Sequence, residues 1–264
     1  MINYRTIMKT TKLAIALSAL MTVTTLSSCL GDSETTGTSA WYGIVKVSGS
    51  YGSYVFYLAD DTYIIPTNQS ALSSSLSSYS YAYIVAYYDI EDLETSTTSI
   101  SMEIYGISPI KTCSVYSGTD TMDAYSNIAI KSVTNNSSDG YISFFSAYDM
   151  FVPISYYYMD SDDIDTHDFR IFYDMDECEE TIMTFHLRHY VEDESINSSR
   201  LTYGTEYVHF RISSPISYFL SQYGSVPQYI ELDYPYNYSS ADLDDATLIT
   251  LSDDIEYGDI YDSF

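Results

Sequence analysis

Residues Tyr79–Ile90, reading YSYAYIVAYYDI, decide the fold class. Aromatic and β-branched residues crowd this stretch, and such side chains suit the pleated, half-buried surface of a strand. A strand sends alternate side chains to opposite faces. Tyr79, Tyr81, Tyr83, Val85 and Tyr87 therefore share one face, and Ala82, Ile84, Ala86 and Tyr88 the other. Neither face is polar, so both are at least half buried, as in a small closed barrel. On the N-terminal side, Ser53–Leu58 and Thr62–Ile65 flank Asp60-Asp61 as a hairpin, without the Gly that a tight primed turn prefers. Pro66 ends the second of these strands. Trp41–Ser48 is the strand before the hairpin, and Thr67–Ser78 is a Ser-rich loop after it. On the C-terminal side, Ser99–Ile107 and Ile110–Tyr116 add two strands. Five or six short strands without a helix fit a partly open barrel of the OB type.

Beyond this barrel, Thr119–Ser132 is the one plausible short helix, with Met122, Tyr125, Ile128 and Ala129 at helical spacing. The cluster Asn135–Gly140 is a turn. Tyr141–Phe145, Phe151–Tyr158, Asp168–Tyr173, Thr181–Val191, Glu206–Ile212 and Tyr229–Tyr234 then follow at intervals suited to an antiparallel sandwich. Pro215–Tyr223 reads as a helical turn or a further strand. Ser240–Phe264 carries eight acids and no base, and reads as a loosely held tail or a final edge strand. The expected architecture is all-β: an OB-like domain over 41–117, a β-sandwich over 118–239 and an acidic segment over 240–264.

The first 28 residues read as a secretory signal, with Met8 an alternative start. Arg5, Lys9 and Lys12 make its basic region, and Leu13–Val23 its apolar run. That run is too short to span a bilayer core. It closes on Leu26-Ser27-Ser28-Cys29, which resembles the bacterial lipobox. The resemblance implies that Cys29 is acylated and becomes the first residue, with 29–40 as a polar tether. Leu30 follows the Cys where an Asp would retain a lipoprotein in the inner membrane, so the outer membrane is expected. Asp32 and Glu34 resemble the acidic export signal of surface lipoproteins.

Three of the ten basic residues lie in the signal, which leaves seven against all 37 acids, about −30. Such a chain is repelled by phosphate backbones, so nucleic acid is excluded as a partner. Repulsion between identical chains also favours a monomer. The 45% of apolar residues and the 31 tyrosines argue against disorder. With Cys29 spent on lipid, Cys113 and Cys178 remain, either paired or as two separate buried thiols.

Three stretches resemble the NigD-like family of Bacteroidota lipoproteins. They are the lipobox with its tether, Trp41 with Phe56–Pro66, and His167–Ile171 with Ile182–Val191 and the acidic turn Glu192-Asp193-Glu194. The resemblance spans most of residues 40–235 and implies an OB-like domain followed by a β-sandwich. The missing Gly at the hairpin and Ile65 in place of an aromatic depart from the pattern. The resemblance carries no biochemical role.

No cofactor, metal or catalytic motif stands out. His186 and His189 are three apart, which on a strand puts them on opposite faces. His189 and Arg188 read as a partly exposed pair facing local acids. Asp160–Asp165 and the turn Asp174–Glu180 could offer oxygens to Ca²⁺, but the Gly and distal Glu of an EF-hand loop are missing. Neither G-x-S-x-G nor a Cys–His pairing is present. Asp120-Thr121-Met122 resembles the short O-glycosylation motif of Bacteroidota. Tyrosine buries area at low entropy cost and keeps a polar tip, which suits recognition. Tyr156, Tyr157, Tyr158, Tyr234, Tyr236 and Tyr238 are therefore the candidate ligand surface, against the reading that they fill the sheets. The expectation is a non-enzymatic outer-membrane lipoprotein that binds a glycan, a peptide or another envelope protein. The alternative is an accessory or bacteriocin-immunity-type protein acting on a membrane-protein partner.

Overall fold

The computed structural model describes residues 38–60, 62–89, 98–133, 141–158, 166–192, 202–251 and 255–264. The signal, Cys29, the Asp160–Asp165 loop and the Asn135–Gly140 turn lie outside them. The all-β expectation holds: thirteen strands and two α-helices are described. The chain divides between Pro109 and Ile110 into two compact units.

The first unit contains β1 (Thr38–Ser48), β2 (Val55–Tyr57), β3 (Tyr63–Pro66), β4 (Tyr81–Asp89) and the first part of β5 (Ser99–Ser117). Pairing runs β1–β2–β3–β5–β4 and back to β1, a closed ring, with β3 and β5 parallel. That is a five-stranded barrel of the OB type. The decisive stretch alternates, but only its even face is almost wholly buried, and the odd face expected to be half-buried reaches solvent at Tyr79 and Tyr87. Ala82, Ile84 and Ala86 are fully buried with Val45, Phe56 and Ile64, while Tyr83 and Val85 are half-buried and Tyr87 exposed on the other face. Two 3₁₀ turns, Gln69–Ala71 and Ser74–Ser78, occupy the Ser-rich loop. Gln69 ties that loop down by bonding both Tyr54 N–H and Tyr54 C=O. The two strands expected at 99–107 and 110–116 are the halves of one strand, β5, which continues through the exposed Pro109.

The second unit adds to the end of β5 the strands β6 (Ile130–Val133), β7 (Ser143–Ser146), β8 (Asp149–Tyr158), β9 (His167–Tyr173), β10 (Ile182–Val191), β11 (Thr202–Arg211), β12 (Tyr229–Tyr236) and β13 (Thr247–Leu251). One run of strands is β13–β12–β10–β9–β5, and a second is β11–β8–β6 with β7 also on β8. Short ladders join them, three pairs between β11 and β5 and one between β12 and β6. Both runs contribute to one core: Met150, Val152 and Ile154 from β8 meet Ile171, Phe185, Leu187 and Leu232 from the other run. A sandwich-like core was expected, but its pairing is mixed and not purely antiparallel. β10–β12, β5–β9 and β5–β11 are parallel. Turn signals and alternation mark strands without fixing their neighbours, and long connections allow parallel pairing.

Two segments differ from the sequence reading. Thr119–Ser132 is not a helix: only Asp123–Tyr125 forms a 3₁₀ turn, and Ile130 begins β6. Asn127 uses its side-chain amide like a strand backbone, donating to Val191 C=O at 2.7 Å and accepting from Val191 N–H at 2.9 Å. Those bonds and the unbroken buried run Ile128–Ile130 outweigh helical spacing. Pro215–Tyr223 resolves as helix, within α1 (Ser213–Tyr223). Pro is tolerated in a first turn, and Gly224 at φ +80° closes the end with its N–H on Leu220 C=O. Ile216 and Phe219 face the core. In the acidic C-terminal segment, β13 is an antiparallel edge strand on β12. The short helix α2 (Tyr257–Ser263) then plants a fully buried Tyr257, whose hydroxyl donates to Ala147 C=O at 2.5 Å.

Candidate binding surfaces and buried polar networks

The six tyrosines expected at one surface separate. Tyr156 and Tyr234 are core residues, 1% and 2% exposed. Tyr156 packs edge-on against Phe169 at 5.1 Å, and the Tyr234 hydroxyl accepts from Val133 N–H. Burial withdraws these two from any ligand. Tyr157 is also buried, and donates its hydroxyl to Tyr238 C=O. Tyr158 and Tyr236 are half-buried, and Tyr158 lies over Gly204, where a Cβ would approach its ring to 3.1 Å. Only Tyr238, 64% exposed, stands fully at the surface. Even-numbered positions on β8 and β12 face the core that both runs share, Tyr157 packs on the other side with Ile128 and Val191, and Tyr238 lies past the end of β12.

Tyr238 belongs to a cluster that sequence reading missed. Lys131 of β6 sits under the rings of Tyr238, Tyr203 and Tyr157, its Nζ at 3.7, 4.3 and 5.4 Å from their centres. Tyr203 of β11 is 60% exposed, so two tyrosine rings face solvent around a buried ammonium. The cation holds the rings by attraction to their π faces. Spacing gives no signal of this, because β6, β11 and the end of β12 converge only through the β6–β8–β11 and β6–β12 pairings.

The polar residues inside the unit form three networks. On β10, His186 and Arg188 lie on the face away from the core, opposite His189, as strand parity predicts. Arg188 Nη1 donates to Asp233 Oδ1 at 2.7 Å, and His186 Nδ1 lies 2.6 Å from Asp233 Oδ2. Burial pushes the Asp233 carboxyl up, but these two bonds outweigh it and hold it below the usual range. The expected exposed pairing of Arg188 with His189 is therefore corrected: Arg188 is 6% exposed and His189 not at all. His189 instead follows Phe185 and Leu187 on the core face, stacked on Phe169 at 4.3 Å and 2.8 Å from His167 Nδ1 through its Nε2. Burial, then the neighbouring His167, keep it neutral, with its affinity for a proton well below the ordinary value.

The third network links four strands, β5, β11, β8 and β7. The exposed Thr112 hydroxyl is 2.9 Å from His209 Nδ1, and His209 Nε2 is 3.0 Å from Asp149 Oδ1. Ser146 Oγ donates to the other Asp149 oxygen at 2.5 Å. Burial raises the Asp149 carboxyl, but His209 and Ser146 bonding outweigh it and bring it down to about 2. Hydroxyl, imidazole and carboxylate here stand in the order that polarises a hydroxyl. β5, β11 and β8 bring them together in register, since His209 pairs with Thr112 on one side and Phe151 on the other.

Elsewhere, Arg170 bonds Asp168 at 2.7 Å and lies under Tyr125 and Tyr116. Cys113 and Cys178 are separate thiols, and burial pushes Cys113 up to about 11. Among the described residues no trio of His, Cys, Asp or Glu is placed to hold a metal ion, and no helix is long and apolar enough to cross a membrane. Thr121 of the Asp-Thr-Met motif is in an exposed turn.

The chain matches no protein-family model and no curated protein. Its fold is shared with solved Bacteroides proteins. A candidate lipoprotein from Bacteroides fragilis is 24% identical, with a TM-score of 0.68 over 83% of this chain and 98% of that one. A protein of unknown function from Bacteroides vulgatus is 12% identical, with a TM-score of 0.50 over 81% and 90% of the two chains. A NigD-like immunity protein from Bacteroides caccae, 15% identical over 81% and 91%, reaches only 0.44. The likenesses to the Bacteroides fragilis and Bacteroides vulgatus proteins establish the fold and carry no activity with them.

Proposed function

We propose that this chain is a NigD-like outer-membrane lipoprotein, anchored through Cys29, which acts by binding a neutral or basic partner in the cell envelope. One observation carries the reading. Each described lysine and arginine of the second unit is directed at an internal partner. Lys111 donates to His167 C=O, Lys131 is under three tyrosines, Arg170 and Arg188 are bonded to aspartates, and Arg211 is 3.7 Å from Asp149. Apart from Lys111 and the largely exposed Arg211, what remains outside is acid, uncharged polar groups and exposed tyrosine, with Tyr203 and Tyr238 both lying over Lys131. Such a surface favours an uncharged or cationic partner by complementarity. The lipobox reading and the fold shared with a candidate lipoprotein support the anchor.

Protease shaving of intact cells, beside a Cys29→Ala control, tests the location. Cross-linking in native membranes, with Tyr203→Ala/Tyr238→Ala beside the native chain, tests the surface. A partner that the double variant fails to capture supports the reading, and recovery of only free protein refutes it. The Thr112–His209–Asp149 network favours a second reading, hydrolysis through the threonine hydroxyl. That reading expects a fluorophosphonate probe to label the chain and Thr112→Val to abolish the labelling. Binding alone expects no label.

A further inference from the structure

The last strand of the second unit leaves a row of backbone groups open. β13 pairs with β12 on one side, and among the described residues no strand lies on its other side. The bonds of β12 show which groups are free. Tyr229 N–H donates to Thr181 C=O, next to β10, and Asn237 N–H donates to Ile130 C=O of β6. Ile230 N–H donates the opposite way, to the C=O of Ile255 just past β13. Odd-numbered residues of β12 therefore turn their backbone groups toward β10 and β6, and even-numbered ones toward β13. Pro235, which has no N–H to give, falls on the side away from β13. Leu232, Tyr234 and Tyr236 are then the hydrogen-bonded partners of Leu251, Ile249 and Thr247. The N–H and C=O groups of Leu248 and Thr250 point outward, and both residues are exposed, Leu248 by 59%.

An open edge is a template for another strand, and proteins blunt it with Lys, Pro, bulges or inward-pointing charges. Thr247–Leu251, reading TLITL, has none of these, and its register on β12 is unbroken. Its side chains are all β-branched or aliphatic, which suits a neighbouring strand on either face. Ile249 and Leu251 already pack half-buried against the core, and an added strand would extend that packing. Charge guards the two ends instead. Asp242, Asp244 and Asp245, all exposed, precede the strand, and the exposed Glu256 follows it. Residues 240–264 hold eight acids and no base. Two copies of this edge would bring acid to acid in either alignment. A strand with Lys or Arg at both ends meets acid at both ends, so charge selects such an occupant.

We propose that the outer edge of β13 takes up an extended segment of another protein as an added strand, an uncharged β-forming stretch flanked by Lys or Arg. This edge uses neither Tyr203 nor Tyr238. The test uses the full mature chain, with Cys29→Ser to keep it in water, and fluorescein-labelled peptides read by anisotropy. The peptide KKTVTVTVKK is expected to bind about tenfold more tightly than EETVTVTVEE at low salt. Only one edge of the peptide can pair with β13. N-methylation of one alternate set of its amides should therefore abolish binding, and methylation of the complementary set should spare it, with no change to the protein. Leu248→Pro removes an outward N–H and none that β12 uses, and should weaken binding several-fold. No binding of the basic peptide at millimolar concentration would overturn the proposal. So would equal binding of the two peptides, equal binding of the two methylated sets, or binding that Leu248→Pro leaves unchanged. A dimer of the chain alone that Leu248→Pro dissolves would give the edge to a second copy and overturn it too. Tyr203→Ala/Tyr238→Ala should leave the titration unaltered, and loss of binding there would place the peptide on the tyrosine pair and overturn the edge. The two surfaces thus fail or stand separately.

Discussion

Acidification should destabilise the second unit through His189, whose burial resists protonation. His189 is fully buried and neutral in the native state, and its proton affinity is depressed by burial and by His167. In the unfolded chain the same imidazole titrates near the ordinary value of about 6.5. The unfolded state therefore binds the extra proton first. The contribution is fully present above about pH 6.5 and is lost as pH falls toward the depressed native value. The loss is about 1.4 kcal/mol for each pH unit in that window. Against a typical total of about 5–15 kcal/mol this is a large share. Protonation of the many acids also changes stability over this range, so a reference chain is needed. His189→Gln keeps a hydrogen-bonding tip facing His167 and cannot titrate. Urea unfolding at several pH values, followed by amide exchange of β9 and β10, should show the two proteins converging below pH 6.5 by up to about 1.4 kcal/mol per pH unit. Trp41, the one tryptophan, reports the first unit and should show no such difference between the two proteins. Parallel pH profiles for the native chain and His189→Gln would refute the reasoning, because they would mean that the buried ring does not govern the acid limb.

Phe219 is fully buried on α1, so Phe219→Ala should cost about 3–5 kcal/mol, read as a lower urea midpoint at unchanged slope. Gly224 is at φ +80° with open space around its Cα, so Gly224→Ala should cost about 1 kcal/mol through backbone strain alone, measured in the same way. Asp149 is held near 2 in the native state, and its stabilising contribution should be present above about pH 4 and fade as pH falls toward 2. Asp149→Asn should flatten that part of the acid-unfolding curve. Cys113 should resist a thiol reagent at pH 8 until urea opens the second unit, as its thiol is buried and pushed up to about 11.

The sequence alone determined what depends on neighbours along the chain. Alternation in Tyr79–Ile90 gave a strand with two apolar faces, and the Asp60-Asp61 turn gave the hairpin beside it. Odd spacing put His186 and His189 on opposite faces. In each case a local period, or a turn residue's own geometry, fixes the outcome. Tertiary structure decided everything that depends on which strands become neighbours. Parallel pairing of β10 with β12 brings Asp233 beside His186, and β5 with β11 brings Thr112 to His209, across gaps in sequence that carry no period. It also overrode the helical spacing of Met122–Ala129, since Asn127 gains two bonds to β10 that an isolated segment cannot make. The tyrosines show both limits together. Composition announces an unusual number of them, but only the shared core decides that Tyr156 and Tyr234 are buried while Tyr203 and Tyr238 reach solvent. A strand's own sequence states that it has two faces, and only its packing partners determine which of them water can reach.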